Sequence, residues 1–263
     1  MDPKYTFHAQ GKSTALINRA LEWLDAMNLE ELHGNGYSRD TQSYAYVFQY
    51  PPTVALEEIG YEQLLDMIAH EKINDNNTNA LGLYLHIPYC TGTCSYCYFT
   101  RYSGNASPIG VKEYLKLLID DIEISKSSLY LENSVVTSIA FGGGTPTYMD
   151  DKDTTKLMSY IYSNFKCKNE LEVSFEASPE TITQDRNYLL SVLMSLGVNR
   201  LSIGIQSFND SQLKLLNRRH DSKMAENAVV EARKAGFSNI NLDLMYGLPG
   251  QSVLNWEQTL FKT

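Results

Sequence analysis

The chain has 263 residues, 43% of them hydrophobic, with 22 basic against 31 acidic side chains and a net charge of -9. That length allows one sizeable core plus an extension, and an acidic balance without a basic stripe argues against a nucleic-acid-binding surface. No run of about 18 apolar residues occurs to span a membrane, and the first residues lack the apolar core of a secretory signal. The expectation is a cytoplasmic protein that engages neither nucleic acid nor membrane.

In chain order, Ser13 caps a predicted helix through Leu16, Ala20, Leu21, Leu24 and Met27. Tyr50-Pro51-Pro52 interrupts the next stretch, and residues 56–70 read as a second amphipathic helix. The polar run 74–79 is a linker, so residues 1–80 are predicted to form a mainly helical N-terminal extension. Strands are then expected at 81–87, 135–141, 171–177, 201–206 and 240–245. Helices are expected at 111–125, 153–165, 186–196, 222–235 and from 253, with Gly236 just past the end of the fourth. Asp120, Asp121 and Glu123 read as a solvated helix face. Alternating β–α units imply a parallel sheet, either open or closing into a barrel. Residues 81–263 would form this α/β core, and the chain ends in the helix after the fifth strand, as if truncated there.

Chemistry concentrates in one segment. Three of the four cysteines fall within eight positions, as Cys90, Cys94 and Cys97, directly after the first strand. So tight a cluster cannot close long loops as disulfides do, which favours a metal or redox role in a reducing compartment. Soft thiolates suit iron–sulfur clusters. Three of them would hold three irons of a [4Fe–4S] cubane and leave the fourth iron for the nitrogen and oxygen atoms of a small molecule. The alternative is zinc, with His86 as a fourth ligand. His86 lies in the strand, four positions before Cys90, which suits a closed tetrahedral site poorly, so the cluster is preferred. His86 is read as a residue orienting the loop. Cys167, in a charged connector, is read as a free thiol.

The lead-in Tyr84-Leu85-His86-Ile87-Pro88-Tyr89-Cys90 and the C-x3-C-x2-C spacing are followed by further blocks. These are Phe141-Gly142-Gly143-Gly144-Thr145-Pro146-Thr147, Glu176-Ala177-Ser178-Pro179-Glu180 and Ser202-Ile203-Gly204-Ile205-Gln206-Ser207-Phe208. Asn217-Arg218-Arg219-His220 and Asp243-Leu244-Met245-Tyr246-Gly247-Leu248-Pro249-Gly250-Gln251 complete the series. In this order they resemble the oxygen-independent coproporphyrinogen III oxidase branch of the radical S-adenosylmethionine (SAM) superfamily. The resemblance covers residues 81–263 and implies a partial (β/α)6-type barrel, a [4Fe–4S] cluster on Cys90, Cys94 and Cys97, and bound SAM.

It also implies roles for single residues. Gly143, Gly144 and Thr145 would line the methionine moiety of SAM, where missing side chains let the backbone come close. Glu176, Gln206 and Asp243, each near the C-terminal end of its strand, would converge on one mouth, with Gln206 at the ribose. Arg218 would pair with the SAM carboxylate. Tyr84 would stand beside the sulfonium, as the catalytic aromatic face, and Tyr246 to Pro249 against the adenine. The implied reaction is reductive cleavage of SAM to a 5'-deoxyadenosyl radical, which takes hydrogen from a small-molecule substrate, a tetrapyrrole or another metabolite. An electron donor such as flavodoxin or ferredoxin would supply the electron. The oxidase itself carries a further cysteine two positions beyond the third, where this chain has Phe99. That departure brings in the branch's heme-trafficking proteins and carbon methyltransferases as alternatives.

Overall fold

The computed structural model describes residues 79–263 except 104–106, 127–130 and 132, together with Gly60 and Gln63. The two helices expected before residue 80 lie outside the described residues, those two positions apart. The first strand, β1 (Asn79–Ile87), shows the alternation that organises the rest. Leu85 and Ile87 are buried and Leu81 and Leu83 join the core, while Tyr84 and His86 point to the opposite face. The short strands β2 (Tyr89–Cys90) and β3 (Tyr102–Ser103) pair with each other around the cysteine segment.

The chain then alternates through α1 (Val111–Lys126), β4 (Ser134–Gly143), α2 (Asp151–Asn164), β5 (Cys167–Ala177), the short α3 (Pro179–Ile182) and α4 (Tyr188–Ser195). It continues with β6 (Arg200–Gln206), α5 (Asp210–Leu215), α6 (Ser222–Lys234), β7 (Asn239–Leu244) and α7 (Val253–Phe261). The five long strands form one sheet in the order β1-β4-β5-β6-β7, every pairing parallel. This is the expected α/β arrangement.

One face of that sheet is apolar. Ile139, Phe141, Val173, Phe175, Leu201, Ile203 and Ile205 are all but inaccessible there and join Leu157, Met158, Ile161, Leu190 and Leu193 of α2 and α4. Phe141 stacks on Phe175 across β4 and β5 with ring centroids 4.5 Å apart. Burying each such side chain contributes about 1.5–3 kcal/mol, so this layer carries most of the stability. The alanines Ala225, Ala228 and Ala232 give α6 a flat buried stripe. The other face bears Tyr84, His86, Ser174, Glu176, Ser202, Gln206, Asn241 and Asp243. Parallel sheets usually cover both faces with apolar layers, so a polar second face marks where chemistry belongs.

Helix starts follow side-chain caps. Asp150 accepts from the Asp153 amide, Asn209 from Ser211 and Gln212, and Asp221 from Met224. Because Asp150 is the cap, α2 begins at Asp151, two residues before the expected start. The expected helix 186–196 is divided, with a 3-10 turn over Gln184–Arg186 before α4. α3 and α5 were not expected, being too short to show a helical period. Cys167 is the first residue of β5 rather than part of a connector, and it is a half-buried free thiol.

Candidate cluster and nucleotide site

The cysteine segment leaves β1 through Pro88 and closes on itself, the Tyr102 amide donating to the Pro88 carbonyl at 2.6 Å. Three contacts fasten its middle to the turn after α5. The Ser95 amide donates to the Leu216 carbonyl (3.1 Å), Ser95 Oγ to the Leu215 carbonyl (3.0 Å), and Asn217 Nδ2 to the Thr93 carbonyl (2.6 Å). Asn217 has φ +55°, a left-handed conformation that asparagine tolerates. Arg101 Nη1 ties down the carbonyls of Cys97 and Phe99 at 2.9 and 3.0 Å.

The glycine run joins β4 to this segment. Gly144 and Thr145 donate their amides to the carbonyls of Ile87 and Tyr89, both at 2.8 Å. A Cβ on Gly144 would sit 2.8 Å from each of those oxygens, so the approach requires glycine there. Gly143 has φ +106°, and a Cβ on it would strike the His86 ring at 2.5 Å. Thr145 Oγ1 then reaches Cys90 Sγ at 3.5 Å.

Cys90, Cys94, Cys97, Gly143, Gly144, Thr145, Glu176, Gln206, Arg218 and Asp243 all line one cleft. Of the expected site residues, Tyr84 and the segment Tyr246 to Pro249 stay outside that cleft. The Tyr84 ring stands 62% exposed on the polar face. Its hydroxyl lies 3.2 Å from His86 Nδ1, and a Cβ on Gly142 would strike both its ring edge at 3.0 Å and Glu176 Oε1 at 2.9 Å. Tyr246 is likewise outside the cleft, tilted against Trp256 with centroids 5.9 Å apart.

Two strand-end carboxylates face each other's field. Burial pushes the Glu176 carboxyl above its usual range, Asp243 pushes it further, and the Gly143 amide opposes both. Asp243 is held by Asn241 Nδ2 at 2.7 Å and Ser202 Oγ at 3.3 Å. Gln206 closes β6 with φ +69°, an uncommon conformation for a residue of its kind, its carbonyl accepting from the Met245 amide at 2.8 Å.

Arg218 is the cleft's central cation. Nη1 donates to Cys94 Sγ at 3.2 Å, and Nη2 to Ser178 Oγ at 2.7 Å and the Gly204 carbonyl at 2.5 Å. Nε is buried with no hydrogen-bond partner. Burial disfavours its charge, but Tyr96, Cys94 and Glu180 outweigh that and raise its pKa.

Glu180 stands in one of the sequence blocks with no role implied for it, yet both of its oxygens are hydrogen-bonded in the cleft. Its oxygens accept from Thr91 Oγ1 at 2.7 Å and Ser178 Oγ at 2.6 Å, and His220 Nδ1 stands 3.5 Å away. Burial alone would raise its pKa, but His220, Ser178, Thr91 and Arg218 together bring it down to about 2. Arg219, which a Cβ on Gly92 would strike, also lines the cleft. It belongs to the block Asn217-Arg218-Arg219-His220, in which the resemblance implies a role only for Arg218.

The donor set fits a cubane better than one metal ion. Among the described residues, no three Cys, His, Asp or Glu converge closely enough to hold a single ion, whereas structural zinc needs four ligands about one point. Three thiols spread around one cleft suit the corners of a cluster. They also feel one another: burial raises the Cys90 thiol pKa, Thr145 opposes this, and Cys97 and Cys94 raise it again. His86 does not line the cleft; its ring packs where Gly143 lacks a side chain.

The family model of the radical SAM superfamily matches residues 84–262. The heme chaperone HemW of Buchnera aphidicola subsp. Acyrthosiphon pisum is 38% identical over 173 residues, covering 66% of this chain and 44% of that protein. The oxygen-independent coproporphyrinogen III oxidase of Escherichia coli K12 is 33% identical over 208 residues, covering 78% and 42%. The solved structure of coproporphyrinogen III oxidase (HemN) from Escherichia coli, a radical SAM enzyme by its description, matches with a TM-score of 0.67 at 29% identity. It covers 82% of this chain and 48% of its own. The chain therefore spans less than half the length of these relatives.

Proposed function

Because this chain belongs to the radical SAM superfamily, in the branch resembling oxygen-independent coproporphyrinogen III oxidase, we propose that it is a radical SAM enzyme acting on an organic small molecule. Membership brings a [4Fe–4S] cluster and SAM as cofactors. One observation carries the reading: three thiols, with no fourth Cys or His beside them among the described residues that line it, share one cleft with the strand-end polar residues and the Arg218 guanidinium.

In this proposal Cys90, Cys94 and Cys97 hold the cluster. When bound, cluster and SAM supply one-electron reductive cleavage and a carbon radical able to take hydrogen from an unreactive C–H bond. The protein's part is placement. Gly143 and Gly144 admit the amino-acid end of SAM against the backbone, and Thr145 borders it. The unpartnered Nε of Arg218 addresses its carboxylate. Glu176 and Asp243 present two mutually repelling carboxylates that a cationic, hydroxyl-bearing ligand would relieve. Gln206 borders the ribose. Tyr84, beside Glu176, offers its ring to positive charge from the rim. The substrate is a tetrapyrrole or a related metabolite, the electron comes from a flavodoxin- or ferredoxin-like donor, and the protein works in the cytoplasm.

The test is anaerobic reconstitution followed by product analysis with reductant and candidate substrates. Formation of 5'-deoxyadenosine is the expected result. A zinc tetrathiolate, or a cluster whose spectrum ignores added SAM, would overturn the reading.

A second reading is a heme-binding chaperone. It is favoured by Phe99, exposed and stacked on Tyr98 with centroids 4.7 Å apart where the oxidase has its additional cysteine, and by relatives named heme chaperones at 38% identity. Heme retained through purification without SAM cleavage would select it.

A further inference from the structure

A hydrogen-bonded chain runs from Glu180 to a cysteine sulfur. Beside its inner end stands His220, whose side chain is fully buried. His220 Nε2 lies 3.1 Å from the Ile205 carbonyl. A carbonyl only accepts, so that nitrogen carries the proton, and Nδ1 stands 3.5 Å from Glu180 Oε2 without a hydrogen-bond partner. Glu180 receives the hydroxyl of Ser178, Ser178 receives Nη2 of Arg218, and Nη1 of Arg218 donates to Cys94 Sγ. A branch leaves Glu180 for Thr91, next to Cys90 in the chain. Arg218 is the donor at one end of this chain and Glu180 the common acceptor at the other, with Ser178 accepting from the first and donating to the second, an arrangement that holds one geometry.

We propose that Glu180 and Ser178 are positioning residues that seat the Arg218 guanidinium on the sulfur of Cys94, and so set the reduction potential of the cluster which that cysteine holds. The physical basis is the donor at the sulfur. A charged N–H directed at a thiolate stabilises the more negative, reduced state and raises the potential. Arginine has several rotatable bonds and loses that aim unless its other nitrogens are fixed. Here Nη2 is fixed by Ser178 and by the Gly204 carbonyl. Ser178 is in turn oriented because its own proton goes to Glu180. The inference rests on the reading that Cys94 is a cluster ligand.

The experiment is a double-mutant cycle read as a potential. Wild-type protein, Ser178→Ala, Arg218→Lys and the double variant are reconstituted anaerobically with iron and sulfide. Iron content and midpoint potential are measured without SAM. Ser178→Ala removes no charge, so it is expected to keep full iron loading and shift the potential to a more negative value. In the Arg218→Lys background the same substitution is expected to cause no further shift. Ser178→Thr, which retains the hydroxyl, returns the potential to the wild-type value. If Ser178→Ala fails to fold, Glu180→Asp decides by the same pair of comparisons, because it keeps the charge but withdraws it from Ser178 and Thr91. A full cluster whose potential is unmoved, or moved equally with and without Arg218→Lys, overturns this proposal alone. Wild-type protein that takes up no iron overturns the cluster reading and this proposal with it.

Discussion

The two faces of the five-stranded sheet are built from alternate residues of the same strands, yet they do different work. Along β5, Val173 and Phe175 are sealed against helices while Ser174 and Glu176 face the polar side. Along β6, Leu201, Ile203 and Ile205 are inaccessible while Ser202 and Gln206 are partly open. A period of two lets one backbone carry a stability layer and a binding layer without trading one against the other. Substitutions should therefore sort by parity along the strand, unless a side chain links the two layers.

The largest effect is expected where the binding layer meets the cysteine segment. Cys94→Ala should abolish cluster assembly and all SAM cleavage, read as loss of iron and of the charge-transfer absorption after anaerobic reconstitution. The fold should survive, because Cys94 is only half-buried and belongs to no strand of the large sheet. A variant that stayed brown and active would remove this ligand from the site.

The opposite parity gives the next effect. Phe175→Ala empties a fully buried position stacked on Phe141 and should cost about 3–5 kcal/mol in denaturant unfolding. Iron loading of the molecules that remain folded should be unchanged. A loss of loading at full stability would break the division between the faces.

Much of that division could be read before the coordinates. All five strands were legible because Val, Ile and Leu recur there with the right spacing, and the cleft residues because the blocks of the family resemblance name them, with Glu176, Gln206 and Asp243 also near strand ends. What escaped was short or contingent on tertiary contact. α3 has four residues, too few for a helical period. Glu180 was visible as a letter, but its partners Thr91 and His220 lie 89 and 40 positions away, a proximity that only folding creates. The resemblance names Tyr84 for the sulfonium but not the 3.2 Å contact of its hydroxyl with His86 Nδ1. Alternation fixes the face of a side chain, not the neighbour it reaches for.

Glu180 is the link that tests whether the layers are independent, and acid exposes it. Its folded pKa, about 2, lies below the ordinary 4.5. Its contribution is therefore complete above about pH 4.5 and is lost as pH falls toward 2. The shift corresponds to a pH-dependent stabilisation on the order of 3 kcal/mol at neutral pH, with more than half gone by pH 3. The stability difference between wild type and Glu180→Gln should be flat from pH 7 to about 5 and then narrow. A difference that stayed constant to pH 3 would mean the carboxylate is not held by its partners.

The smallest effect is on nucleotide affinity. Arg218→Lys keeps the positive charge but cannot serve Cys94, Ser178 and the Gly204 carbonyl from one planar group. It also loses the buried Nε that faces no protein acceptor. SAM binding, followed by equilibrium titration of the reconstituted protein, should weaken about tenfold, or about 1.4 kcal/mol. Iron loading should fall much less, because three thiols remain. Equal loss of both would make Arg218 a brace for the cysteine segment rather than a contact for the nucleotide. The polar face would then owe its order at this point to the fold, as the apolar face does.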